Sequence, residues 1–246
     1  MNKKEYDKLF ELEEDHWWYV SLRERVFNDL NRYIVRGKDN RILDAGCGTG
    51  FSLLRLESFG NAFGLDISGE AIGFCRKRGL NRLILGSVSP LPCKENIFNI
   101  IISLDVLYHK DVGCDKDVLR EFYNALQPGG LLIINVPAFE FIRSEHDLAI
   151  HTKRRYTRDI LRQKIEDANF TIERITYRNI FLFPLIMMFR IYKNFRFNLN
   201  RSESDLKRLP FWLNSFLISI LNVEALFFDK SYAPFGLSVY CIARKK

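Results

Sequence analysis

The chain lacks the patterns that would place it outside the cell or around a metal ion. Its five cysteines, at 47, 75, 93, 114 and 241, have neither the close spacing of a zinc site nor the even count of a disulfide framework. They read as reduced thiols of a cytoplasmic protein, with no metal expected. No secretory leader is legible, because Met1-Asn2-Lys3-Lys4-Glu5 leads into a charged helical stretch and not an apolar core. Nor is there an apolar run of the ~20 residues needed to cross a bilayer. The uncharged stretch Leu209 to Val223 stops at 15 residues, so no transmembrane helix is expected.

Acidic residues are in deficit, with 30 Asp and Glu against 37 Lys and Arg for a net charge of +7. That suits an anionic substrate or surface, although a solvated basic face is the commoner origin. A hydrophobic fraction of 47% with 21 Phe in 246 residues fills a complete core, and the length suits one domain carrying an insertion.

The rest of the chain is organised around Arg41-Ile42-Leu43-Asp44-Ala45-Gly46-Cys47-Gly48-Thr49-Gly50. An apolar pair ends in a carboxylate, and glycines then alternate into a helix-like run, as in a parallel strand, a tight turn and a helix start. The glycines let the backbone approach a ligand closely. A second apolar run, Ala62-Phe63-Gly64-Leu65-Asp66-Ile67, ends in another carboxylate, about 20 residues on, where the hydroxyls of a ribose are commonly held. A dinucleotide fingerprint would need glycine or alanine at 51, where Phe51 stands.

Glycine at 50, after an acidic strand end, resembles motif I of the class I S-adenosylmethionine-dependent methyltransferases. Further segments agree in order. Ile97 to Leu104 is a nearly continuous apolar strand leading to Asp105-Val106-Leu107-Tyr108-His109, and a helix over 115–127 stops at Pro128-Gly129-Gly130 before the strand Leu131 to Val136. His16-Trp17-Trp18-Tyr19, a His151–Arg154-Arg155-Tyr156 loop and the end Pro234-Phe235-Gly236-Leu237-Ser238 are similar to a bacterial branch of the family, of the methyltransferase type 11/12 kind.

The resemblance implies an α/β fold of the Rossmann-like kind: a mostly parallel seven-stranded sheet, order 3-2-1-4-5-7-6, with helices on both faces. Residues 1–36 are read as an N-terminal helical cap, 37–178 as the cofactor-binding core, 179–236 as an apolar helical insertion covering the substrate, and 237–246 as the last strand. S-adenosylmethionine is the implied cofactor. Its implied contacts are Asp44, Ala45, Gly46, Cys47, Gly48 and Gly50 of the turn, Asp66 and Ile67 for the ribose, Ser87 and Val88 for the adenine, Leu104, Trp18 near the methionine moiety and Arg23 near its carboxylate.

Removing a proton from the acceptor calls for a base, and histidine suits neutral pH. The candidates are His151, His109 and His146, with Asp147 four residues before His151 to fix its tautomer, and Tyr156 close by. Arg154 and Arg155 would grip an anionic group of the substrate; a surface network holding the next helix is the plain alternative. The acceptor is read as a small molecule, a glycan or an amphiphilic, lipid-like metabolite. The first rival is a nucleic-acid methyltransferase, against which stand the missing Asn/Asp-Pro-Pro-aromatic motif and the lack of an appended RNA-binding module. The second is a non-catalytic subunit that binds the cofactor. In the insertion, with seven Lys/Arg against four Asp/Glu over 179–236, Arg190, Lys193 and Arg196 border one apolar face. A substrate cover is the preferred reading and a peripheral membrane contact the alternative.

Overall fold

A computed structural model describes residues 3–34, 37, 39–196, 207–228 and 232–246, with side chains of 3–4 and 191–196 left aside. The elements run in the order α1 (Lys3–Leu12), α2 (Trp17–Tyr33), β1 (Arg41–Ala45), α3 (Phe51–Leu56), β2 (Asn61–Asp66), α4 (Gly69–Lys77), β3 (Leu83–Leu85), β4 (Phe98–Leu104), α5 (Asp115–Ala125), β5 (Leu126–Pro137), α6 (Glu145–Ala149), α7 (Arg158–Asp167), β6 (Phe170–Arg178), α8 (Phe183–Arg196), α9 (Phe211–Phe228) and β7 (Ser238–Lys245). The sheet order is β3-β2-β1-β4-β5-β7-β6, as expected. The pairs from β3 to β5 are parallel, and β7 runs antiparallel to both β5 and β6.

The apolar strands follow from this layering. Successive side chains of a strand face opposite ways. Leu43, Ile101 and Ile134 therefore enter the layer beneath α5 and α7, while their neighbours Ile42, Ile100 and Ile133 pack under α2 and α3. All six are buried, and each contributes about 1.5–3 kcal/mol. Helix starts are specified locally. Thr157 caps α7 by accepting the Ile160 N–H at 3.2 Å, and Asp115 and Asp117 sit in the first turn of α5.

Two expectations change, the start of the strand after α5 and the reach of the run Leu209 to Val223. The strand after α5 begins at Leu126 and carries Pro128-Gly129-Gly130 within it, because a bulge lets Phe98 pair with Leu126 and Ile100 with Leu131. The three aromatics Trp17, Trp18 and Tyr19 are the first turn of α2, capped by His16. The run counted as too short for a bilayer also extends: α9 takes in Glu224 and reaches Phe228, and by length and composition it could cross a membrane. It is tied to the domain instead. Asn214 accepts the Trp17 N–H at 2.9 Å, and Glu224 accepts the Asn179 and Phe181 N–H groups at 2.7 and 2.9 Å. In α8, Arg190 donates to the Ile142 carbonyl at 3.1 Å; the side chains of Lys193 and Arg196 lie outside the described residues.

Candidate active site

The turn after β1 closes onto β2. The Gly46 and Cys47 N–H groups donate to the Leu65 carbonyl at 2.7 and 3.0 Å. Gly46, Gly48 and Gly50 all have positive φ, and a Cβ on Gly46 would lie 2.2 Å from Val106 Cγ2. No other residue fits that position. The Asp66 carboxylate accepts the Gly48 N–H at 2.9 Å and the Ser68 N–H at 2.9 Å, which holds it beside the turn. Ala45 is buried, Cys47 lies 3.9 Å from Cys75, sulfur to sulfur, and Ile67 is exposed.

The charge pattern fits S-adenosylmethionine, a ligand with a sulfonium and an ammonium group. Asp44 is buried, and burial together with the neighbouring carboxylates of Asp66 and Glu13 pushes its carboxyl up to about 7. Asp66 is raised too, chiefly by burial. Carboxylates crowded in this way are relieved by a cation, and the glycine turn leaves the backbone open to close approach.

The N-terminal segment lies across this turn. Leu9 Cδ2 would be 3.4 Å from a Cβ on Gly48, and Tyr6 packs with Ala71 and Phe74 of α4. Glu13 takes hydrogen bonds from Thr49 and, at 3.0 Å, from Arg78. Arg23, expected at the methionine carboxylate, donates to the carbonyls of Glu13 and Glu14 at 2.5 and 2.8 Å and lies 4.4 Å from the Phe51 ring. Trp18 packs against the cluster of Ile142, Phe183 and Leu237, and it lowers the Asp105 carboxyl. Ser87 is held within its own loop, accepting the Ser89 N–H at 3.1 Å and donating to the Ser89 carbonyl at 2.9 Å. Val88 is buried, and Leu104 is half-buried beside Asn135.

Asp105 is the residue that sequence reasoning passed over. It follows β4 in the left-handed region, with φ 59°, and accepts a hydrogen bond from Asn135 Nδ2 at 2.8 Å. Burial raises its carboxyl to about 6 against the lowering effect of Asn135, Arg178, Trp18 and Arg155. The available signal was its place at the carboxyl end of a buried parallel strand.

The loop bearing the histidines folds back on the same edge. Lys110 N–H donates to the His151 carbonyl at 3.0 Å, and the His109 and His151 rings meet edge to face at 5.7 Å. Both imidazoles are held below their ordinary value, chiefly by burial, His109 at about 4; both are neutral at pH 7 and able to accept a proton. His146 lies in α6, half-buried. Asp147 does not serve His151. Its carboxylate takes Arg155 Nε and Nη2 at 2.8 and 2.9 Å and the Ser144 N–H at 2.8 Å, while His151, in the left-handed region at φ 58°, meets the His109 ring. Arg154 pairs with Asp115 at 3.0 Å, and Tyr156 O–H reaches Asp115 and the Leu107 carbonyl at 3.1 and 3.2 Å. Those three side chains stitch the loop to the domain.

Residues 43–134 match the family model described as a methyltransferase domain. A tRNA U34 carboxymethyltransferase of Cellvibrio japonicus is 33% identical over 106 residues, which are 39% of this chain and 32% of that protein. The chain spans about half or less of the curated relatives it matches, 49% and 32% for two of them. A methyltransferase solved with the Trm112 methyltransferase activator of Haloferax volcanii superposes with a TM-score of 0.62 at 16% identity, covering 99% of this chain and 93% of that one. Phosphoethanolamine N-methyltransferase 2 of Haemonchus contortus, solved with S-adenosyl-L-methionine, gives 0.56 at 18% identity over 90% and 52%. The fold is that of the class I methyltransferases, and S-adenosylmethionine is the cofactor that the matched segment and its glycine turn fit.

Proposed function

We propose that the chain transfers a methyl group to a small-molecule, glycan or lipid-like acceptor by direct displacement, with Asp105 receiving the acceptor's proton. The cofactor supplies an activated methyl carbon. The protein's share is to align the acceptor near that carbon and remove a proton. The observation that carries the reading is Asp105 at the β4 end, fixed by Asn135 with its carboxyl at about 6. A base with that value is ionised at neutral pH yet still basic enough to accept a proton. His109 and His151, both neutral, border the same edge and form the acceptor's side of the site.

The names of the tRNA-modifying relative and of the Trm112-bound neighbour, with the +7 charge, favour RNA as a second reading. One experiment separates the two. The protein is incubated with methyl-labelled S-adenosylmethionine and fractionated cell extract, and the label is followed. Label in the small-molecule, glycan or lipid fractions supports the proposal. Label confined to ribonuclease-sensitive material overturns it.

Asp66→Ala tests the cofactor's place. Each hydrogen bond lost from a charged acceptor costs roughly 1.5–3 kcal/mol, so affinity for S-adenosylhomocysteine should fall at least ~10-fold. Calorimetric titration measures it, and an unchanged affinity would remove the ribose from this carboxylate.

A further inference from the structure

The helix α9 turns two polar side chains toward the domain and leaves large apolar ones exposed. Asn214 Nδ2 donates to the Asp15 carbonyl at 2.8 Å, and Glu224, the only charged residue of the helix, is buried on two backbone N–H groups, while Ser219 and Asn222 are exposed. Several of its large apolar groups face outward. Trp212, Phe216, Val223 and Phe227 form one helical stripe and are 70%, 58%, 46% and 70% exposed. Only Leu221 and Glu224 of its residues are buried. Water disfavours this arrangement, and exposed patches of such size mark a contact surface.

The patch continues onto α8. Phe181 meets Phe227 and Phe228 at ring distances of 6.4 and 6.1 Å, and Leu185, Met188 and Phe189 stand 57–60% exposed beyond it. Cations border it: Lys207 and Arg208 are exposed just before Phe211, itself 86% exposed. An apolar stripe with Trp and Phe on it and Lys and Arg at its end matches the interface of an anionic bilayer, where the rings enter the acyl boundary and the cations meet phosphate.

We propose that α8 and α9 dock the protein peripherally on an anionic lipid surface, with α9 lying in the interface and not crossing it. The two anchors at Asn214 and Glu224 argue against crossing, since a spanning helix would have to leave both partners. The inference does not depend on which acceptor is methylated.

The test is sedimentation of the full chain with phosphatidylcholine vesicles, with and without phosphatidylglycerol. The protein should pellet with the anionic vesicles at low salt and bind at least ~10-fold more weakly at high salt. Trp212→Ser, Phe216→Ser and Phe227→Ser together should weaken binding at least ~10-fold further, leaving the melting temperature and S-adenosylhomocysteine affinity unchanged. If that variant folds poorly, Lys207→Glu with Arg208→Glu, in a segment outside any helix or strand, carries the test through loss of the salt-sensitive part. Wild-type protein that stays in the supernatant overturns the proposal, as does either folded variant that binds like wild type. A concentration-dependent dimer that the triple variant abolishes, with no vesicle binding, would assign the surface to a second copy.

Discussion

Asp147→Ala is expected to destabilise the protein by about 3–5 kcal/mol, the cost of stranding a buried charge whose partner has been removed. The side chains of Arg155 and Asp147 are 4% and 1% exposed. Arg155 also donates to the Ala138 carbonyl at 2.7 Å, so it cannot swing out to water without breaking the join to β5. Burial works against the Asp147 charge, but the Arg155 guanidinium and the Ser144 N–H outweigh it and leave the carboxyl below its ordinary value. A carboxyl depressed by folding adds stability above its unfolded pKa and loses it as pH falls through the folded one. The gap between wild type and variant should therefore be complete at neutral pH and close only in acid, below the ordinary carboxylate range. Urea unfolding at several pH values measures it. Replacing both partners with apolar residues should cost less than the single change. A loss under ~1 kcal/mol at pH 7 would show that Arg155 finds solvent.

The pairing of Asp147 also shows where sequence reading stops. Four residues separate Asp147 from His151, the spacing of neighbours on a helix, but α6 ends at Ala149 and the backbone reverses at His151. The carboxylate is satisfied by Arg155 eight residues away, across a turn whose path no periodicity encodes. Features held by local rules were legible. The glycine turn, the strand-end place of Asp66, the Thr157 cap and the apolar strands follow from backbone sterics, capping and two-sided burial, each written in adjacent residues, whereas the sheet order came from the family resemblance. Features made by distant segments were not. That Leu9 would lie over Gly48, that Arg23 is consumed by carbonyls of the α1–α2 turn, and that α9 faces its apolar stripe outward are facts of packing. Composition gave α9 its apolar character, but only the anchors at Asn214 and Glu224 set which side faces the domain.

Asp105→Asn should lower kcat by ~10²–10⁴-fold, the usual share of a positioned proton acceptor. The substitution is chosen for its backbone. Asp105 sits at φ 59°, a region that Asn tolerates well and Ala or Val does not, so the β4 turn should survive. An amide oxygen at the same place can still accept from Asn135 Nδ2, which preserves that hydrogen bond while removing the basic group. Affinity for S-adenosylhomocysteine should stay within a few-fold, and the melting temperature should barely move. The pH profile gives the sharper readout. With the carboxyl at about 6, kcat/KM of the wild type should fall on the acid side of about 6, because a protonated Asp105 cannot accept a proton. That limb should vanish from the residual activity of the variant. His151→Ala and His109→Asn should cost less and leave the limb in place. If Asp105→Asn instead keeps its activity within ~3-fold while His151→Ala loses ~10²-fold, the proton goes to the histidine loop, and Asp105 serves only to hold Asn135 at the end of β4.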